Sequence, residues 1–248
     1  DITVNFSEAV TLSAGNLVVT LETGDPDITV SIPSTSINDT NTVSGTYTVQ
    51  AGDTSAALQV KANGIALSQA GATLKDAAGN AMTNFTPATN LNVNHAIKID
   101  TTAPTIASVI STTGNASYNT GDIDITVNFS ENVTLADGDL VVTLETGDTD
   151  RTVTFSTINN VNTVSGTYTI QAGDTTADAD LTVKSIALAN ASGKTATLSD
   201  AAGNAMTDFV PASNLEANHA IKIDTTAPTI LCTSFISDNT NSKTAIQG

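Results

Sequence analysis

Acidic and amide side chains recur at matched places along the chain, and their oxygen atoms are the ligands that hard cations prefer. They stand at the end of Phe-Ser-Glu, at both ends of Asp-Ala-Ala-Gly-Asn, and at the start of Asp-Thr-Thr-Ala-Pro and of the second Asp-Ile-Thr-Val. The candidates are Glu8, Asp76, Asn80, Asp100, Asp124, Glu131, Asp200, Asn204 and Asp224. Calcium takes six to eight oxygen ligands, so acids gathered from several loops at one end of a domain fit a calcium cage. Asp and Asn also form turns and caps, and the spacing does not match an EF-hand loop, so both interpretations stand.

The matched places reflect an internal repeat. The sequence Asp1–Glu8 returns at Asp124–Glu131, and Ile97–Ile106 returns at Ile221–Ile230. Tandem units of this kind are typical of one-dimensional arrays in which each unit contacts its neighbours. We therefore expect this chain to be part of a long structure.

The boundaries of the two copies do not coincide with the ends of the chain. The segment 105–123 has no counterpart before Asp1, whereas 229–248 resembles that missing piece. The sequence therefore predicts repeat 1 at residues 1–99, without its own first strand, and a linker at 100–104. Repeat 2 follows at 105–223, and 224–248 holds a second linker and the first strand of a following repeat.

Alternating apolar residues predict β-strands that lie between Gly, Asn and Asp turns. In repeat 2 the alternation covers 123–129, 140–144, 153–155, 164–170, 181–188 and 219–223, with a further strand at 105–111. About seven short strands suit a Greek-key β-sandwich of immunoglobulin type. The fold class is therefore all-β, with two tandem immunoglobulin-like sandwiches.

Composition limits the partners. The chain has 8 Lys and Arg against 25 Asp and Glu, a net charge of −17. Nucleic acid and anionic membrane surfaces are therefore not expected as partners, and no apolar stretch is long enough for direct membrane insertion. The single Cys232 cannot form an internal disulfide, so packing, or packing with metal, must stabilise the fold.

Three motifs in the same order in both copies resemble the bacterial immunoglobulin-like tandem repeats of large extracellular adhesins and surface proteins. They are Phe-Ser-Glu followed by Val-Thr-Leu, Asp-Ala-Ala-Gly-Asn, and Asp-Thr-Thr-Ala-Pro. The resemblance covers nearly the whole chain. It implies tandem sandwiches that extend a stalk from a prokaryotic cell, with calcium at or near domain junctions, so we expect calcium in at least one site per repeat.

The function expected on this basis is a structural repeat module of an extracellular fibre or adhesin stalk on a prokaryotic cell surface. Its partners would be neighbouring copies of the same repeat, head to tail. The alternative is a lectin-like, carbohydrate-binding module that recognises host or surface glycans. Such modules usually stack sugars on exposed aromatic rings, and here only Tyr118 is predicted to be exposed, because Tyr47 and Tyr168 lie in an alternating strand.

No catalytic constellation is evident, and the chain is not expected to be an enzyme. His95 and His219 occupy equivalent places one repeat apart and are predicted to lie at strand ends rather than at a shared metal. A further acidic group, Asp174, Asp178 and Asp180, is predicted to lie in a solvated loop.

The phase of the repeat also suggests a mode of assembly. An unpaired sheet edge beside a free complementary strand favours strand addition from another copy. One hypothesis is donor-strand exchange, in which Ile230, Cys232 and Phe235 of one subunit complete repeat 1 of the next and build a filament. The rival is that the two repeats belong to a much longer covalent chain.

Overall fold

The computed structural model describes residues 1–177 and 179–231, and they form an all-β protein with 44% strand and 5% helix. Antiparallel sheets pack as a sandwich, which confirms the predicted fold class at this level. The two α-helices in the described part, α1 (Leu91–Asn94) and α2 (Leu215–Asn218), are single turns, too short to cross a bilayer.

Six strands and a short 3-10 turn, Ser34–Ser36, build repeat 1. The strands are β1 (Ile2–Leu12), β2 (Asn16–Leu21), β3 (Ile28–Pro33), β4 (Thr40–Gly45), β5 (Val60–Leu67) and β6 (Leu74–Asp76). They form two three-stranded antiparallel sheets, in the orders β4-β1-β6 and β3-β2-β5. Alternation places the apolar side chains of both sheets in the space between them.

Nine strands build repeat 2, and the first two have no equivalent in the described part of repeat 1. The strands are β7 (Ile106–Ile110), β8 (Ser117–Tyr118), β9 (Asp122–Ala136), β10 (Gly138–Leu144), β11 (Arg151–Phe155), β12 (Val161–Thr169), β13 (Val183–Asn190), β14 (Thr197–Ser199) and β15 (Lys222–Ile223). The sheet β12-β9-β14 gains β7 as a further partner of β9, and it faces the sheet β11-β10-β13. A short parallel pair, β15 with β8, closes one end.

The cores of the two repeats differ in continuity. Repeat 2 has one cluster of buried side chains that runs through the sandwich from Ile106 of β7 to Ile223 of β15. Repeat 1 has two smaller clusters, and the half-buried Val4 and Ile65 pack against both of them. The core of repeat 1 is therefore divided, whereas the core of repeat 2 is continuous.

The predicted strands of repeat 2 are present, but the one predicted at 219–223 is shortened to Lys222–Ile223. His219 ends helix α2 as its C-cap, and His95 ends α1 in the same way, so the expected strand-end positions are wrong. In each case a preceding Asn side chain accepts the first helical N–H and starts a single turn, because Asn is a strong N-cap residue. The alternation pattern did not show these caps.

Candidate metal centre at the junction of the repeats

The long strand β9 positions Glu131. It pairs with β12 through Asp122–Asn128 and again at Val133, with a register shift between the two, and it pairs with β14 through Thr134–Ala136. Glu131 lies at this irregularity, one residue after Ser130, whose backbone N–H donates to the carbonyl of Thr105 at 2.9 Å. The linker is thereby held beside Glu131, whose side chain is half-buried.

The Asp-Ala-Ala-Gly-Asn turn positions the second carboxylate. Asp200 is buried and accepts hydrogen bonds from the backbone N–H of Asn204 at 2.8 Å and from its side-chain amide at 2.8 Å. Gly203 supplies the positive φ of 93° that the turn requires. The turn therefore fixes the Asp200 carboxylate at one end of the sandwich.

Asp100, the first residue of the linker, supplies the third carboxylate. Its side chain accepts from the Thr102 backbone N–H at 3.2 Å and from Lys98 Nζ at 3.0 Å. Its backbone carbonyl accepts from Asn204 Nδ2 at 3.1 Å, a direct hydrogen bond between the linker and repeat 2. Asn204 thus links the turn of repeat 2 to the linker.

Carboxylate oxygens of Asp100, Glu131 and Asp200 all lie within 4.8 Å of one another. We call these three residues the junction cluster. Oxygens at such separations can share one cation of calcium size, whose ligands stand at about 2.3–2.6 Å, with carbonyls and water completing the shell. Three carboxylates with one nearby ammonium group, Lys98, leave a local charge that a divalent cation would balance.

The electrostatics of the cluster agree with its geometry. Burial, and then the charges of Asp200 and Asp100, raise the pKa of Glu131 above its usual value. The hydrogen bond from Lys98 lowers the pKa of Asp100, helped by the Thr102 N–H. The pKa of Lys98 is in turn raised by its hydrogen bond to Asp100. Within the cluster, it is therefore the ionised form of Glu131 that burial and the neighbouring carboxylates disfavour.

The other predicted ligands lie apart from the junction cluster. Asp76 and Asn80 repeat the hydrogen bonds of Asp200 and Asn204, with the backbone N–H and the amide both donating at 2.7 Å, yet Glu8 and Asn80 are exposed. Asp224 accepts from the Thr226 N–H at 2.9 Å. Asp124 accepts from the hydroxyls of threonines, including Thr112 at 3.0 Å, on β9 and the loop after β7. Cys232 and Phe235 lie outside the described residues.

Asp174 corrects the prediction of a solvated acidic loop. It is buried, with 1% of its side chain exposed, and it accepts from Tyr168 Oη at 2.7 Å, the Gln171 N–H at 2.9 Å and Arg151 Nε at 2.8 Å. The burial of Asp174 raises its pKa, but these hydrogen bonds outweigh that effect and hold the pKa below its usual value. The sequence signal was the Tyr-to-Asp spacing, which Tyr47 and Asp53 share.

Aromatic side chains are all buried or half-buried among the described residues. Tyr168 lies in the core, as predicted from its place in an alternating strand. Tyr118, predicted to be exposed, is half-buried against the core and donates to the Gly114 carbonyl at 2.8 Å. Its hydroxyl and ring are thereby engaged within repeat 2.

No family model matches the chain, and searches of curated proteins and of solved structures find no significant match.

Proposed function

We propose that this chain is a structural repeat module of an extracellular fibre or adhesin stalk on a prokaryotic cell surface, whose successive repeats are joined rigidly by calcium. The observation that carries the proposal is the junction cluster, because one carboxylate comes from the linker and two come from repeat 2. A cation held there would fix the linker against repeat 2. A stalk needs such junctions, since flexible linkers would let the array collapse on itself.

The linker itself supports a junction of this kind. It is only a few residues long, and Asn204 of repeat 2 already donates to the Asp100 carbonyl. Thr105 is bound twice by Ser130, whose hydroxyl oxygen accepts from the Thr105 N–H at 3.0 Å. The linker is therefore hydrogen-bonded to repeat 2 at Asp100, and the residue that follows it, Thr105, is fixed to β9, so calcium would add a charged link to these neutral ones.

Thermal unfolding with millimolar calcium and with excess chelator tests the proposal. A cation at about 100 times its Kd adds about 2.7 kcal/mol to the stability of the state that binds it. We expect calcium to raise the Tm of the wild type and to lengthen the particle in small-angle scattering. Glu131→Gln should lose most of both effects, because it removes one of the three carboxylates.

Glu8→Gln is the matched control, because Glu8 ends the same motif in repeat 1 but is exposed and lies outside the junction cluster. It should keep the full calcium response. A wild-type Tm that is equal in calcium and in chelator would rule the proposal out. An equal loss of response in both variants would show that calcium acts elsewhere.

A further inference from the structure

Strand β5 of repeat 1 contains a larger bulge than its counterpart β13 in repeat 2. On β5, residues 61–64 stand opposite the single residue Thr20 of β2. On β13 only residues 184–185 stand opposite one residue of β10. The larger bulge ends in Asn63-Gly64, which is the one Asn-Gly pair in the sequence. Repeat 1 therefore has a local geometry and a residue pair at this place that repeat 2 lacks.

The geometry of the bulge explains why these two residue types stand there. Asn63 has a left-handed backbone, with φ at 57°, and Asn is one of the few residues with a side chain that tolerates this conformation. A Cβ on Gly64 would lie 2.7 Å from the carbonyl oxygen of Lys61 and 2.9 Å from that of Thr20, too close for any larger residue. An amide side chain is thereby followed by a backbone nitrogen whose own residue has no side chain.

A side-chain amide in this position can react with the backbone. The nitrogen of the following residue attacks the amide carbon, a five-membered succinimide ring closes, and ammonia leaves. Water then opens the ring at either carbonyl, which leaves aspartate or isoaspartate. A side chain on the following residue hinders the attack, so glycine, which has no Cβ, permits it best. Asn is among the thermolabile residues of proteins for this reason.

The Asn63 side chain is free to take part in such a reaction. It is exposed and has no hydrogen-bond partner within the described part of the protein. The side-chain amide of Asn204, in contrast, donates to Asp200 and to the Asp100 carbonyl, and these hydrogen bonds hold it in place. Asn63 can therefore turn its amide carbon toward the Gly64 nitrogen without breaking a hydrogen bond of its own side chain.

Asn160 of repeat 2 provides a natural comparison. It is also exposed and left-handed, with φ at 52°, and its side chain likewise has no hydrogen-bond partner among the described residues. The residue after it is Val161, whose branched Cβ crowds the backbone nitrogen. The two asparagines thus share backbone conformation and exposure, and they differ in the residue that follows.

We propose that Asn63 is a site of spontaneous deamidation in the folded protein. The Gly64 nitrogen gives up its proton and bonds to Cγ of Asn63, the side-chain nitrogen leaves as ammonia with that proton, and water opens the ring. Each conversion adds a negative charge two residues from Lys61, which forms an ion pair with Asp27. The isoaspartate product also lengthens the main chain of β5 by a carbon atom. Repeat 1 therefore carries a slow, one-way chemical change that does not depend on calcium or on the proposed fibre.

The test follows the intact chain during incubation under native conditions at mildly alkaline pH, which favours loss of the Gly64 proton. Mass spectrometry of proteolytic peptides measures each asparagine. We expect the peptide with Asn63 to gain the mass difference between NH2 and OH and to separate into aspartate and isoaspartate forms, while the peptide with Asn160 keeps its amide. Anion exchange should show a matching acidic species. Asn63→Gly, which keeps the positive φ without an amide, should form much less of it.

A parallel incubation in urea gives the rate of the same reaction in the unfolded chain. The proposal is supported if Asn63 converts in the folded chain ahead of Asn160. It is overturned if Asn63 converts in urea alone, since the bulge would then hold the nitrogen away from Cγ. Equal conversion of Asn63 and Asn160 in the folded chain would overturn it too, because the glycine would then have no effect. Circular dichroism checks that Asn63→Gly and the incubated wild type remain folded.

Discussion

Repeat 1 and repeat 2 carry the same motifs in the same order, yet among the described residues only repeat 2 has a continuous core and a junction cluster. The two differ at β7, a strand without an equivalent among the described residues of repeat 1. Repeat 2 receives β7 from the linker, and the same linker brings Asp100 to Glu131 and Asp200. One segment, from Asp100 through β7, therefore contributes to both the hydrophobic core of repeat 2 and the carboxylate cluster.

The largest expected effect comes from the core beneath β7. Leu215 is 0% exposed and belongs to the core of repeat 2, whereas the equivalent Leu91 is half-buried and packs against the edge of a smaller cluster in repeat 1. We expect Leu215→Ala to cost about 3–4 kcal/mol and Leu91→Ala about 1–2 kcal/mol, because the second removes less buried contact. Urea unfolding followed by hydrogen exchange in each repeat measures both. Equal costs would show that the two leucines are buried to the same extent in solution.

A middle-sized effect is expected at the buried Asp174. Its partner Arg151 stands where repeat 1 has Ile28, since both pair with the last residue of the preceding strand. Arg151→Ile should cost about 1–3 kcal/mol at neutral pH, because the carboxylate loses a charged donor while Tyr168 and Gln171 remain. The urea midpoint gives this value, and Ile28→Arg in repeat 1 is the reciprocal control.

The cost of Arg151→Ile should also depend on pH. The pKa of Asp174 is lowered in the folded wild type, so its contribution is present above the unfolded value of 3.8 and is lost as the pH falls through the folded pKa. The wild type and the variant should therefore converge in acid. A cost that is the same at neutral and at acid pH would show that Arg151 stabilises repeat 2 by packing alone.

The smallest expected effect is the difference between the stability changes that Glu131→Gln and Glu8→Gln cause in chelator. The pKa of Glu131 is raised, so its ionised form is disfavoured in the folded state, and this penalty grows as the pH rises from 4.5 through the folded pKa. Glu131→Gln should therefore raise stability by up to about 1 kcal/mol at neutral pH and by nothing in acid. Glu8→Gln should change stability at neither pH. Calorimetry that finds Glu131→Gln destabilising in chelator would contradict this account.

Local patterns predicted the elements well, because alternation directly reports which face of a strand is buried. Strands β9 and β10 follow from such alternation, and turn motifs placed Asp200 and Asn204 at the end of a sandwich. The sequence also placed Asp124 among the cation ligands, but the structure pairs it with threonines instead. A strand-end acid faces either the junction or a neighbouring strand, and only the three-dimensional register decides which.

Long-range pairing was beyond the sequence patterns for a different reason. Asp174 follows a glycine in a polar loop, which resembles a solvated turn, but its carboxylate is buried by Arg151 of another strand. The partner lies 23 residues away in the chain, so no local window includes both. The recurrence of Tyr six residues before Asp in both repeats was the one local indication.

The placement of β7 has a mechanical consequence for repeat 2. The linker enters repeat 2 directly along β7, which is hydrogen-bonded to β9 on one edge and to residues 212–213 on the other. Tension along the chain therefore pulls β7 lengthwise, across bonds that lie perpendicular to the strand. Such loading strains all of these bonds together in shear instead of opening them one at a time. The strand that completes the core is thus also the element through which a pulling force would enter the domain.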